Sequence, residues 1–192
     1  GGIAIAKFVA YLFTSSSSML AESIHSVADT SNQALLLLGN RQAKKHATAE
    51  HPFGYGRERY FWSFVVALVL FSLGGLFAIY EGWHKLGDTE HGVSNVGWAI
   101  GVLLLGIVLE GWSFRTAVVE SRPLKGGSSW WEFIRHSRTP ELPVVLLEDF
   151  GALTGLVLAL VGVSVAAITG DARWDAYGTI SIGVLLVVIA AI

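Results

Sequence analysis

The chain has 192 residues, of which 53% are hydrophobic and only 15% charged, and its mean hydropathy is +0.56; an ordinary soluble domain carries about 25% charged residues, so most of this surface cannot face water. A net charge of −2 argues against a nucleic-acid partner, and the absence of cysteine removes disulfide frameworks, thiolate zinc sites and cysteine nucleophiles. The length suits one domain, and no cleavable signal peptide is visible.

A helix that crosses the hydrocarbon needs about 20 apolar residues. Six candidates follow one another, which predicts an all-α, multi-pass membrane protein: Gly2 to Thr14, Met19 to Asn40, Tyr60 to His84, Val93 to Val119, Leu142 to Thr169 and Trp174 to Ile192. The stretches Gly1 to Phe13 and Val184 to Ile192 are apolar and lack a polar exit, so the chain is expected to be cut at both ends, through or close to membrane helices. Trp62, Trp83, Trp98 and Trp174 sit near predicted span ends, as an interfacial belt requires. Trp112 lies deeper, and Trp130, Trp131 and Phe133 suit an interfacial segment before the fifth span. Gly151, Gly155 and Gly162 share one stripe of that span, a spacing that lets helices approach closely.

Basic residues set the expected orientation. Arg41, Lys44, Lys45, Arg57 and Arg59 fall between spans 2 and 3, and Arg115, Arg122, Lys125, Arg135 and Arg138 fall between spans 4 and 5. The alternate loops hold only Lys85 and Arg173, each beside acids. Positive residues mark the cytoplasmic side, so six spans place both chain ends in the cytoplasm.

The second span carries the strongest chemistry. At about 100° per residue, Glu22, His25, Ser26, Asp29, Asn32 and Gln33 occupy about a third of its circumference. His25 and Asp29 are four apart and meet on one face. An aspartate near mid-membrane costs roughly 2.5–3.5 kcal/mol on insertion scales, so it reads as functional by default. Imidazole with carboxylate suits zinc and similar ions; the structural alternative is a His–Asp hydrogen bond joining two helices. The fifth span adds Glu148 and Asp149, whose directions diverge by about 100°, so one is expected to face span 2 and the other a different neighbour. Glu110 lies deep in span 4, where it suits a supporting role or a proton path. Glu81, Asp171 and Asp175 lie near span ends, where a solvated role is expected. His51, His84, His91 and His136 read as surface histidines.

The stretch Met19-Leu20-Ala21-Glu22-Ser23-Ile24-His25-Ser26-Val27-Ala28-Asp29 resembles helix 2 of the cation diffusion facilitator family, and so does the loop His51-Pro52-Phe53-Gly54-Tyr55-Gly56-Arg57. The likeness covers essentially the whole chain, and it implies export of a divalent metal from the cytoplasm in exchange for protons, by a homodimer. In that family two residues four apart on helix 2 and two on helix 5 take the metal. His25 and Asp29 match, with His25 resembling the zinc-type members. Asp149 matches the helix 5 aspartate, but Val145 stands where many members have histidine. That leaves Glu148, Glu22 or water to complete the shell, as in a divergent subgroup. In the helix 2–3 loop His51 matches one ligand of a second family site. Tyr55 and Thr48 replace others, so that site is expected to be weakened or absent. The family's cytoplasmic C-terminal domain is not expected within these 192 residues.

The resulting expectation is a carrier in which His25, Asp29 and Asp149, with Glu148, bind zinc or another divalent ion. Metal and protons compete for these groups, and His25, with a reference pKa of about 6.5, can lose its proton at cytoplasmic pH. The metal and the protons are substrates and no cofactor is expected. The partners expected are a lipid bilayer and a second copy of the chain, in a bacterial inner membrane. A membrane-embedded metalloenzyme and a passive cation channel are the alternatives, although no His-Glu-x-x-His and no repeated acidic ring is present.

Overall fold

The computed structural model describes residues 2–46, 52–87, 95–137 and 141–192, without the side chains of residues 2, 3 and 59. The expectations placed on Thr48, His51, His91 and Arg138, and the start of span 4 at Val93, lie outside the described residues. Within them all regular structure is helical. The elements are α1 (Gly2–Thr14), α2 (Ser17–Ala43), α3 (Glu58–Val69), a π-helical segment (Leu70–Leu76) that leads into α4 (Phe77–Gly87), α5 (Val96–Lys125), α6 (Trp130–His136), α7 (Glu141–Thr169) and α8 (Arg173–Ala190).

Local chemistry sets the element ends. Ser15 takes a left-handed φ of 53° and stops α1. Ser16 then caps α2, its hydroxyl accepting from the Met19 amide at 3.3 Å, which satisfies one of the first turn's orphan donors. Ser129 caps α6 in the same way through the Glu132 amide. α5 runs on to Lys125, six residues past the expected end. Pro123 sits inside its last turns, where it withholds one backbone donor and the helix ends two residues later. α6 covers the expected interfacial segment at Trp130, Trp131 and Phe133, and Phe133 is buried.

Among the described residues four helical runs are long and apolar enough to cross a membrane: Tyr60–Gly87, Val96–Lys125, Glu141–Thr169 and Arg173–Ala190. α2 has 27 residues, about 40 Å at 1.5 Å each, but its polar stripe dilutes its apolar character. α1 is apolar but has 13 residues, about 20 Å. Large apolar side chains cover the outside, Ile168, Trp83 and Trp112 among them, as a lipid-facing surface requires. Trp98 and Trp174 are exposed as well. Trp62 departs from the expected belt, because it packs on α2 at Gly39, where a Cβ would lie 2.7 Å from it.

α7 lies along α5 and α8, α4 along α8, and α2 contacts α1, α3 and α7. The apolar centre is built from Met19, Leu103, Leu156, Val163, Ile182 and Leu186. Small residues bring the backbones together, as expected for the helix 5 glycines. A Cβ on Gly162 would meet the Trp174 carbonyl oxygen at 3.1 Å, and one on Gly183 would meet the Ile79 backbone nitrogen at 2.7 Å. The latter approach joins α4 and α8 tightly.

Candidate metal centre

The α2 stripe divides by partner. Glu22, His25, Ser26 and Asn32 are buried, Asp29 is half-buried and Gln33 is exposed. His25 Nε2 stands 3.5 Å from Asp29 Oδ2, an ion-pair distance rather than a good hydrogen bond. Neither ring nitrogen of His25 has a hydrogen-bond partner, and Asp29 Oδ1 has none either. The ring lies against the π-helical segment, since a Cβ on Gly74 would sit 3.6 Å from His25 Nδ1.

The two acids of α7 diverge, as the helical angle predicts. Glu148 faces α2, where Asn32 Nδ2 donates to its Oε1 at 2.6 Å. Asp149 faces α5 and accepts from Ser113 Oγ at 3.0 Å. Asp149 also meets Asp29 across a cavity of about 220 Å³ whose lining includes the polar Ser26, Thr30, Gln33, Glu110 and Ser113 beside the two aspartates. At about 30 Å³ of liquid per water, that volume suits an ion with several waters. Three carboxyl groups and no lysine or arginine line it, so its field favours a cation. Glu110 therefore stands beside the expected site. Among the described residues no three side chains of His, Asp or Glu converge closely enough to grip an ion together. His25 and Asp29 form one adjacent pair, Asp149 lies across the cavity, and Glu148 is engaged with Asn32. Val145, partly buried one turn before Asp149, offers no donor.

Two buried groups were not read from the sequence. Lys7 is fully buried in α1 and donates to Glu22 Oε2 at 3.0 Å and to Ser26 Oγ at 2.8 Å. A single lysine within an otherwise apolar helix was the available signal. This ion pair engages Glu22, one of the groups considered for the metal shell. Asp175 corrects the solvated role expected for it: it is fully buried and accepts from Ser16 Oγ at 2.9 Å, the Ser17 amide at 2.8 Å and Ser17 Oγ at 3.1 Å. Its signal was the Ser15-Ser16-Ser17-Ser18 run at the α1–α2 turn, whose many donors need a buried acceptor.

Buried ionisable groups around a small acidic cavity, inside a helical bundle with an apolar exterior, define a membrane protein that handles cations. The comparisons agree, because the cation efflux transmembrane domain model matches residues 1–191. The chain belongs to the cation efflux family. It is 33% identical over 187 residues to the proton-coupled zinc antiporter SLC30A9, mitochondrial, of Homo sapiens, a match covering 96% of this chain and 33% of that protein. It is 33% identical over 186 residues to metal tolerance protein C4 of Arabidopsis thaliana, covering 96% and 40%. Magnetosome protein MamM of Magnetospirillum gryphiswaldense is 30% identical over 80 residues, covering 42% and 25%. The chain thus spans about a third of the length of the human relative. The metalloenzyme alternative falls with this membership, because the family is one of cation efflux domains and the human relative is an antiporter.

Proposed function

We propose that this domain moves a divalent metal ion, zinc foremost, out of the cytoplasm in exchange for protons, with His25, Asp29 and Asp149 as the ligands and Glu148 completing the shell after leaving Asn32. The observation that carries the reading is the acidic cavity between Asp29 and Asp149, with the two unpartnered nitrogens of His25 beside it. A buried polar atom without a partner is costly, and a bound metal would satisfy several at once. The human relative's proton-coupled zinc antiport supports the ion and the coupling. Ligands must shed protons to take metal, so one set of groups can exchange one for the other.

The reading includes six spans with both ends cytoplasmic: α1, α2, the α3–π–α4 run, α5, α7 and α8. The basic α2–α3 and α5–α7 connections support that orientation. It also includes a homodimer, which rests on the family likeness. The proposed membrane is a bacterial inner membrane; a mitochondrial membrane, named for the human relative, likewise holds a proton gradient. The test is zinc flux in proteoliposomes under an imposed pH gradient. Saturable uptake that collapses with the gradient is expected, whereas non-saturating flux indifferent to the gradient would establish the channel alternative instead. Undiminished uptake by Asp29→Ala or Asp149→Ala would overturn the ligand assignment.

A further inference from the structure

Lys7 has no part in the ion chemistry described so far, yet it is fully buried beside it. Its stem crosses α5 at Gly106, where a Cβ would lie 3.8 Å from Lys7 Cε. Its ammonium reaches two groups on α2, Glu22 Oε2 at 3.0 Å and Ser26 Oγ at 2.8 Å. Ser26 lines the acidic cavity together with Asp29. Glu22 lies three residues before His25 on the same face. The second oxygen of Glu22 is buried without a hydrogen-bond partner. It presses on α7 where Gly155 leaves room, for a Cβ there would come within 2.6 Å of it.

A buried ion pair is a poor stabilising device, since a well-packed apolar pair often serves as well or better. A pair kept only for helix packing would also be expected to satisfy both carboxylate oxygens, as the donors around Asp175 do. Here one oxygen is left without a donor against α7, on a residue one turn before Ser26, which lines the cavity.

We propose that Lys7 is a built-in competitor of the transported ion: its fixed positive charge holds Glu22 and Ser26 out of the metal shell and opposes the ion across the cavity wall, which keeps binding weak enough for release. The inference rests on the divalent-ion reading above. Removing the ammonium leaves Glu22 an uncompensated carboxylate one turn from the cavity-lining Ser26, so affinity rises and release slows. Removing the Glu22 charge instead leaves Lys7 unopposed, and affinity falls. A role limited to packing would change both variants in the same, damaging direction.

The experiment measures zinc binding by calorimetry and zinc flux in proteoliposomes for the whole chain and its Lys7→Met, Glu22→Gln, Lys7→Met/Glu22→Gln and Lys7→Arg variants. Lys7→Met is expected to lower Kd and KM by about ten-fold or more while the maximal rate falls. Glu22→Gln is expected to raise Kd by about ten-fold. The double variant returns to within about three-fold of the parent, and Lys7→Arg stays close to it. Unchanged or weaker binding by Lys7→Met overturns the proposal. If Lys7→Met does not fold, parent-like affinity in Glu22→Gln overturns it equally, and a raised Kd there supports it. A parent chain that binds no zinc overturns the divalent-ion reading itself; a parent that binds, with unshifted variants, overturns this inference alone.

Discussion

Asp29 and Asp175 are both aspartates on helices of an apolar bundle, and their surroundings are opposite. Asp175, in the first turn of α8, accepts three hydrogen bonds from Ser16 and Ser17 at the α1–α2 turn. Lys85 Nζ stands 4.0 Å away and also donates to the Ser15 carbonyl oxygen. Each carboxylate oxygen of Asp175 therefore has a donor, and together they tie α2, α4 and α8 at one end of the bundle. Asp29, mid-way along α2, has His25 at 3.5 Å, an oxygen without a donor, and a cavity in front of it. A carboxylate whose hydrogen bonds are complete can do little besides hold the fold. One whose bonds are incomplete has capacity for an incoming ion. Completeness of bonding, not depth, separates the two roles.

The comparison can be broken in several ways. The largest effect belongs to Asp29→Ala: proton-driven zinc flux should fall by about 100-fold or more, while the thermal unfolding midpoint in detergent stays within a few degrees, because little bonding is lost. A variant that transports normally, or one that unfolds far earlier, would place Asp29 with the structural acids. Asp175→Ala should do the reverse. Orphaning buried donors costs about 2–4 kcal/mol, seen as a lowered unfolding midpoint, with zinc Kd within about three-fold of the parent. A shifted Kd with unchanged stability would show that the α1–α2 turn takes part in ion handling.

Smaller changes sharpen the comparison. Asn32→Leu removes the 2.6 Å donor to Glu148, and a loss of about 1–3 kcal/mol is expected; unaltered stability would mean that this bond is not held in the resting protein. Ser113→Ala leaves Asp149 facing the cavity without its hydroxyl donor. A stability change of about 0.5–1.5 kcal/mol is expected, with zinc affinity altered by about three-fold. A loss of affinity as large as that of Asp149→Ala would make the hydroxyl itself a ligand.

Much of this arrangement can be read from residue spacing. Long apolar stretches mark the helices, and the angle between neighbours predicts that Glu148 and Asp149 face different helices. The α2 stripe is visible because its polar residues repeat with the helical period. What escapes is whatever depends on a partner far along the chain. Asp175 lies close to a span end in sequence, and only the serines some 158 residues earlier bury it. Lys7 is a single charge in a short apolar helix, and its meaning comes from Glu22 on the next one. The division of the stripe into a part held by Lys7 (Glu22 and Ser26) and a pair left to each other (His25 and Asp29) likewise depends on which neighbours face each residue.

The π-helical segment at Leu70–Leu76 also acts as a phase shifter. Buried positions on this run are Ser63, Val66 and Leu70, then Gly74 and Gly75 side by side, then Ala78 and Gly82. Nineteen positions separate Ser63 from Gly82, and at 100° each a regular helix would overshoot five full turns by about 100°, the angle of one residue. The wide turn absorbs that one residue and returns Gly82 to the inner side, where it meets the Ala176 carbonyl oxygen of α8. Deleting a single residue within this segment would leave eighteen positions, five full turns of a regular helix, and Gly82 would keep its inward side; winding the segment as a regular α-helix with all its residues in place would instead leave a misdirected helix. Everything from Phe77 to Gly87 would rotate by about 100°, presenting side chains where α8 has room only for glycine.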